Sequence, residues 1–156
     1  MDNGITLEEE LTLSIMQGVI DNFLKPRFIE LGMNATGQWL ESLIPVTVDG
    51  NGEIWGMDYT YWLANGRKPG TAPPVNVLIP WVTAKFGVGG NEARNIAFAV
   101  ANKIKKEGTR FYPNGTDLLS IIQSPEVINY IYSRLEQSVT VKINELLIKQ
   151  LNDNIS

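Results

Sequence analysis

The sequence predicts an α+β fold, helix-rich overall, in which a small antiparallel hairpin around residues 45–58 is packed by amphipathic helices. Three observations predict it. An apolar stripe runs from Leu7 to Leu24 at helical spacing. Val46 and Val48 alternate with Thr47 and Asp49 ahead of the turn formers Asp49-Gly50-Asn51-Gly52. From Ala93 to Ile104 the apolar positions follow the i, i+3, i+4, i+7 template without a miss. At 156 residues, 44% apolar and 19% charged, the chain has the profile of one globular domain, 1–156.

Thr6-Leu7-Glu8-Glu9 fits a capping box, because the Thr hydroxyl and the Glu three residues on can satisfy the free amides of a first helical turn. Leu7, Leu11, Ile15, Val19 and Phe23 then carry the stripe to Pro26, and Phe28 to Leu31 continue it past a kink as far as Gly32. Thr36 to Leu43 reads as a short helical turn ended by Pro45. The hairpin follows, its second strand expected over Glu53 to Met57. Tyr59 to Ala64 is open between strand and helix, and Arg67 to Pro74, with three prolines, is a loop.

Asn76 is the expected cap of a helix carrying Val77, Leu78, Trp81, Val82 and Phe86, with Pro80 disturbing its first turn and Gly87 closing it. Gly87-Val88-Gly89-Gly90 connects it to the next helix, from Asn91 to Gly108. Gly108 to Gly115 is a second loop. Leu118, Leu119, Ile121 and Ile122 suggest a short buried helix. Ser124-Pro125 caps and starts the final one. Its expected buried side is Ile128, Ile131, Leu135, Val139, Ile143, Leu146 or Leu147, and Leu151; alternation at 138–143 leaves a strand open there, with helix favoured.

The chain has no Cys and no His. Thiolate catalysis, imidazole general bases and ordinary zinc sites are excluded. Asp49, Glu53 and Asp58 flank the hairpin and are the one acidic group with the composition of a metal or acid/base site, but turns draw Asp for local hydrogen bonding without any catalytic role. Gly87-x-Gly89-Gly90 lacks the Gly-Lys-Ser/Thr ending of a phosphate loop and follows a helix, so it reads as a connector. No catalytic residue, metal ligand or cofactor site emerges. No apolar run is long enough to span a membrane, and the first residues lack the pattern of an export signal, so a soluble chain is expected.

Charge is segregated along the chain. Residues 1–58 hold 10 acids and 2 bases, residues 59–110 hold 2 acids and 8 bases, and residues 111–156 hold 5 acids and 3 bases, within a net charge of -4. Two readings stand: solvated helix faces complementing the macrodipole, or an acidic face on one copy meeting a basic face on the next, a head-to-tail contact that closes into a ring. Arg67, Lys68 and Arg110, with Phe111 and Tyr112, also have the residue types that contact nucleic acid. A pI near 4.8 opposes general DNA affinity.

The order of landmarks resembles a family. Thr36-Gly37-x-x-Leu40-x-Ser42-Leu43-Ile44 comes first, then Tyr61-Trp62-Leu63-Ala64-Asn65-Gly66, then Pro73-Pro74 with the helix to Trp81 and Lys85-Phe86-Gly87, then Ile96-Ala97 to Lys106-Glu107-Gly108-Thr109. Over about residues 36–109 this is similar to the neck, head-tail joining and tail-completion proteins of tailed bacteriophages. One departure is Asn65, where that family usually has Glu. The resemblance implies a non-enzymatic virion protein assembled in the host cytoplasm, forming a six-fold or twelve-fold homo-oligomeric ring around the DNA channel. Its implied partners are copies of itself, adjacent connector, portal or tail proteins, and genomic DNA passing without sequence-specific binding, with no membrane involved. By the family's pattern the loop Gly66 to Pro74 makes the inter-subunit contact, Arg67 and Lys68 meeting Glu8, Glu9, Glu10, Glu41 or Glu53 of a neighbour. The competing readings from the residues are a carboxylate or metal-dependent phage nuclease or hydrolase, and a monomeric protein-binding regulator.

Overall fold

A computed structural model of the protein describes residues 4–155, and the fold is α+β and helix-rich as the sequence predicts. The first helix, α1, spans Leu7–Val19 and opens on the expected capping box: the Glu9 N–H donates to the Thr6 hydroxyl at 3.2 Å, and the Thr6 N–H donates to the Glu9 carboxylate at 2.8 Å. A wide π turn over Ile20–Leu24 joins it to α2, Lys25–Glu30. Pro26 has no N–H for the carbonyl four residues back, and its ring would press on that carbonyl in a regular helix; the wide turn just before it makes room. The expected kink is therefore taken up by residues 20–24. This π turn also brings the adjacent pair Val19 and Ile20 inward together, both fully buried.

The main core forms along this helix from Ile20, Leu24, Phe28, Trp39, Leu43 and Leu118. Trp39 comes from α3, Gln38–Ser42; its ring stacks on Phe28 at 4.7 Å, and its N–H donates to the Thr60 hydroxyl at 2.8 Å. The hairpin pairs β1, Ile44–Val48, with β2, Asn51–Trp55, antiparallel, Val48 opposite Asn51 and Ile44 opposite Trp55. Its turn is shorter than the sequence suggests. Asp49 and Gly50 alone make it, both at positive φ (50° and 80°), so Asn51 and Gly52 belong to the second strand, which starts earlier than Glu53. A two-residue turn of this hand matches the strand twist, and Asp-Gly is among its preferred pairs. Gly52 has no side chain because the strand lies on α1: a Cβ there would come within 2.9 Å of both Thr12 and Met16.

The open segment after the hairpin is helical: α4 covers Thr60–Asn65. A second cluster, Val82 with Ala93 and Ala97, joins α5, Val75–Phe86, to α6, Gly90–Glu107. The alanines permit the close approach. Asn76 does not cap α5. The helix begins two residues earlier, with Pro74 at the cap position and no side-chain cap, because Pro74 is already extended and its fixed φ leads directly into the first turn. Gly87, at φ 69°, ends α5 as expected.

Leu118 enters the main core, but Leu119 is exposed, and the short element after it is a 3-10 turn over Ser120–Gln123. Ser124 caps α7, Pro125–Ile155, a single helix through 138–143. The expected buried side of α7 is wrong over most of its length. Val127, not Ile128, is fully buried, and Leu135, Val139, Ile143, Leu146, Leu147 and Leu151 are exposed. The physical reason is length: α7 packs on the first helix near its own start, where the Tyr130 ring meets Phe23 edge-on at 5.5 Å and rests on Gly18, and among the described residues its principal neighbours are that helix and the 3-10 turn before it.

A Cβ on Gly18 would come within 1.8 Å of the Tyr130 hydroxyl. Gly18→Ala, favourable by about 1 kcal/mol in an isolated helix, is therefore expected to lower the urea midpoint here. The loss should shrink in a Tyr130→Ala background, a positive coupling that a double-mutant cycle measures directly.

Candidate functional site: a basic platform and an acidic end

The loop from Gly66 to Pro74 does not stand free. The Arg67 N–H donates to the Thr109 hydroxyl at 2.7 Å, the Thr109 N–H returns a bond to the Arg67 carbonyl at 2.9 Å, and the Gly70 N–H donates to the Lys105 carbonyl at 2.8 Å. Further on, the Thr116 N–H donates to the Ala64 carbonyl at 2.6 Å. Both predicted loops are thus pinned against each other, backbone to backbone, between α4 and the end of α6.

Two glycines make this approach possible. Gly66 (φ 71°, ψ 169°) and Gly108 (φ 81°, ψ -172°) occupy a backbone region open essentially to glycine alone. Both are buried. A Cβ at Gly66 would lie 2.6 Å from the Tyr112 nitrogen, and one at Gly108 would lie 2.6 Å from the Arg67 carbonyl oxygen. Neither neighbour is a side-chain tip that can swing away.

The pinned loops bring together the main chain of three basic stretches: Arg67-Lys68, Lys105 and Thr109-Arg110. The Arg67 guanidinium lies 5.8 Å from the Trp62 ring centre and that of Arg110 lies 5.1 Å from Phe111, while Tyr61 meets Trp62 edge-on at 5.1 Å. Trp62 is 47% exposed. The result is a basic and aromatic platform in which stacking orients the guanidinium groups. Arg110 also reaches the far end of the first helix, 3.7 Å from where a Gly32 Cβ would stand.

The acids are divided. Glu8 and Glu10 are exposed at the start of α1, and Glu53 follows Gly52, which lies on Thr12 and Met16 in the same half of that helix. From Leu7 to Glu30 the continuous helix is about 35 Å long at ~1.5 Å per residue. The acidic end and the Arg110 platform therefore stand at opposite ends of one rod. Glu9 is committed to the capping box, where first the Thr6 backbone N–H and then its hydroxyl hold the carboxyl below its ordinary range. Glu53 accepts a bond from the Trp55 indole at 2.7 Å. Glu41 does not join the acidic end; it sits on α3, beside Trp39 at the Phe28 end of the rod.

Asp49 is consumed by the hairpin turn, and among the described residues no three acids gather closely enough to hold a metal. An open cleft of about 380 Å³ beside Phe23 presents Asp117 and Glu126, but Asp117 is paired with Arg27 at 2.8 Å. No helix among the described residues is long and apolar enough to cross a membrane. Of the four tryptophans, Trp39 is core and Trp55 and Trp62 are exposed. Sequence reasoning missed the part of Thr109 and Gly108 in holding Arg67, although Gly66 and Gly108-Thr109 both end conspicuous motifs. The chain matches no protein-family model, and no curated protein or solved structure is significantly similar to it.

Gly66→Ala and Gly108→Ala are each expected to cost about 2 kcal/mol or more in urea unfolding, combining the strained backbone with a backbone clash; Gly89→Ala, which meets nothing within 4 Å, serves as the control. The pH dependence follows from Glu9. Its folded pKa lies below the unfolded value, so the stability it contributes is complete above about pH 4.5 and is lost as pH falls through the folded value. Glu9→Gln removes the carboxylate that accepts from the Thr6 N–H and hydroxyl, and the gap in stability between wild type and variant should narrow on acidification, as followed by circular dichroism.

Proposed function

We propose that the protein is a structural component of a tailed-bacteriophage virion, a neck or tail-completion subunit that forms part of a ring at the head-tail connector around the DNA channel. The observation that carries this reading is the placement of a rigid basic platform and an acidic patch at opposite ends of one helical rod, as a head-to-tail contact requires. In such a ring Arg67 and Lys68 of one copy meet Glu8, Glu10 and Glu53 of the next. Glu9 is spent inside its own subunit, and Glu41 is at the opposite end of the rod from Glu8 and Glu10. Both are dropped from the contact set.

The resemblance over residues 36–109 supports the same reading, since its landmarks Tyr61 to Gly66 and Lys106 to Thr109 fall on the helices and loops that are pinned together. The subunit would work without catalysis. It would recognise its own copies and adjoining connector, portal or tail proteins. A net charge of -4 suits a channel through which genomic DNA slides without being held.

Assembly is tested by charge reversal. In low salt, Arg67→Glu/Lys68→Glu should abolish rings seen by negative-stain electron microscopy and native mass spectrometry, and adding Glu8→Lys/Glu10→Lys should restore them in part. Rings that form equally well in the first variant would refute the contact, and divalent-metal-dependent cleavage of DNA by the wild type would refute the function.

A further inference from the structure

Beyond its first turns α7 is exposed to solvent. Every residue from Val139 to Asn154 is exposed, and seven large apolar side chains in that stretch are between 50% and 62% exposed. Their arrangement on the helix is specific. At about 100° per residue, Lys142, Glu145, Lys149 and Asp153 fall within one stripe roughly 80° wide. The seven apolar side chains are spread over the remaining arc, roughly 220° wide: Val139, Ile143 and Leu146 at one edge, Leu147 and Leu151 in the middle, Val141 and Ile148 at the other, with the uncharged Thr140, Asn144, Gln150 and Asn154 interspersed among them.

An ordinary surface helix buries an apolar stripe of about 100° against one neighbour. An arc twice that width is covered only by two neighbours at once. We propose that the distal half of α7, residues 139–154, packs into a bundle of three or more copies of the same segment, with the charged stripe facing water.

Area and charge both point to copies of this chain as the occupant. Full burial of seven such side chains removes roughly 400–800 Å² of apolar surface per copy, at ~60–120 Å² each. Split between two neighbours this is roughly 200–400 Å² at each contact, so only the two contacts together approach the ~800 Å² per partner that a stable interface takes, before any polar rim is counted. The four charges alternate in sign and sum to zero, and among the described residues they make no ion pair within the chain. Identical stripes therefore do not repel one another, and a neutral stripe has no pull toward an anionic membrane surface. This contact is apolar and lies on a different element from the salt-sensitive platform, so it does not rest on the head-to-tail reading.

Sedimentation equilibrium of the full chain distinguishes the two contacts when run in about 0.5 M salt, where the Debye length of roughly 4 Å screens exposed ion pairs. The wild type should sediment as a trimer or larger, and Arg67→Glu/Lys68→Glu should leave that mass unchanged. Ile143→Ser/Leu147→Ser should reduce it to a monomer while tryptophan fluorescence stays native, because neither side chain touches the body of the protein. Val141→Ser/Ile148→Ser, at the other edge of the arc, should also lower the mass. Since the chain has no Cys, Leu147→Cys gives a unique cross-linking site and should form disulfide-linked dimers on oxidation. A monomeric wild type in high salt, or an oligomer unchanged by Ile143→Ser/Leu147→Ser, overturns the proposal even if low-salt rings persist. A dimer indifferent to Val141→Ser/Ile148→Ser overturns the two-neighbour packing.

Discussion

Burial of Ile15, Val19, Ile20, Leu24 and Phe28 along one side of the first helix is the constraint on which the other elements depend. Each meets that helix at its own level. The hairpin lies on Thr12 and Met16 through Gly52, α7 crosses at Gly18 and Phe23 through Tyr130, Trp39 stacks on Phe28, and Arg110 closes over Gly32. The π turn makes this possible despite Pro26, because one extra residue in the turn shifts the inward-facing side and keeps both Ile20 and Leu24 in the core. A regular helix broken at Pro26 would part the hairpin and α7 from Trp39.

Close backbone approach, more than side-chain packing, holds the platform at the end of this rod. Segments rich in Gly and Pro usually read as mobile connections, and 66–74 and 108–116 have that composition. Here the glycines have the opposite effect. Without side chains at 66 and 108, two strands of irregular backbone come within hydrogen-bonding distance and satisfy each other's polar groups. Arg67 leaves this junction with its main chain anchored at both N–H and carbonyl, which limits where its guanidinium can go and lowers the entropy lost when it meets a carboxylate.

Local signals in the chain were read well where the determining physics is local. The Thr6–Glu9 box, the Ser124-Pro125 start, the Gly87 stop and the unbroken alanine stripe of α6 involve residues within a few positions of one another, and they occur as the pattern predicts. Asn76 is instructive, because its capping propensity gave way to Pro74, whose ring had already set the backbone for entry into the helix. The hairpin turn shrank to Asp49-Gly50 for a similar reason: strand pairing recruited Asn51 and Gly52 once Gly52 could lie on α1. At the candidate site, the basic character of Arg67, Lys68 and Arg110 was legible, but their convergence was not, since it depends on hydrogen bonds between residues 42 positions apart.

The apolar pattern of α7 marks the difference most clearly. Periodicity establishes that residues 125–155 can form one helix and that much of its surface prefers to leave water, and both follow from the order of side chains alone. Whether a given apolar residue is covered depends on what else in the chain lies beside it, a long-range matter that only the packed structure decides. Charge is divided in the same way: composition and order determined that acids and bases are segregated along the chain, whereas the length and rigidity of the first helix decided that Glu8 and Glu10 stand far from Arg110, because hydrogen-bonded turns hold that separation where a flexible chain would let them collapse together.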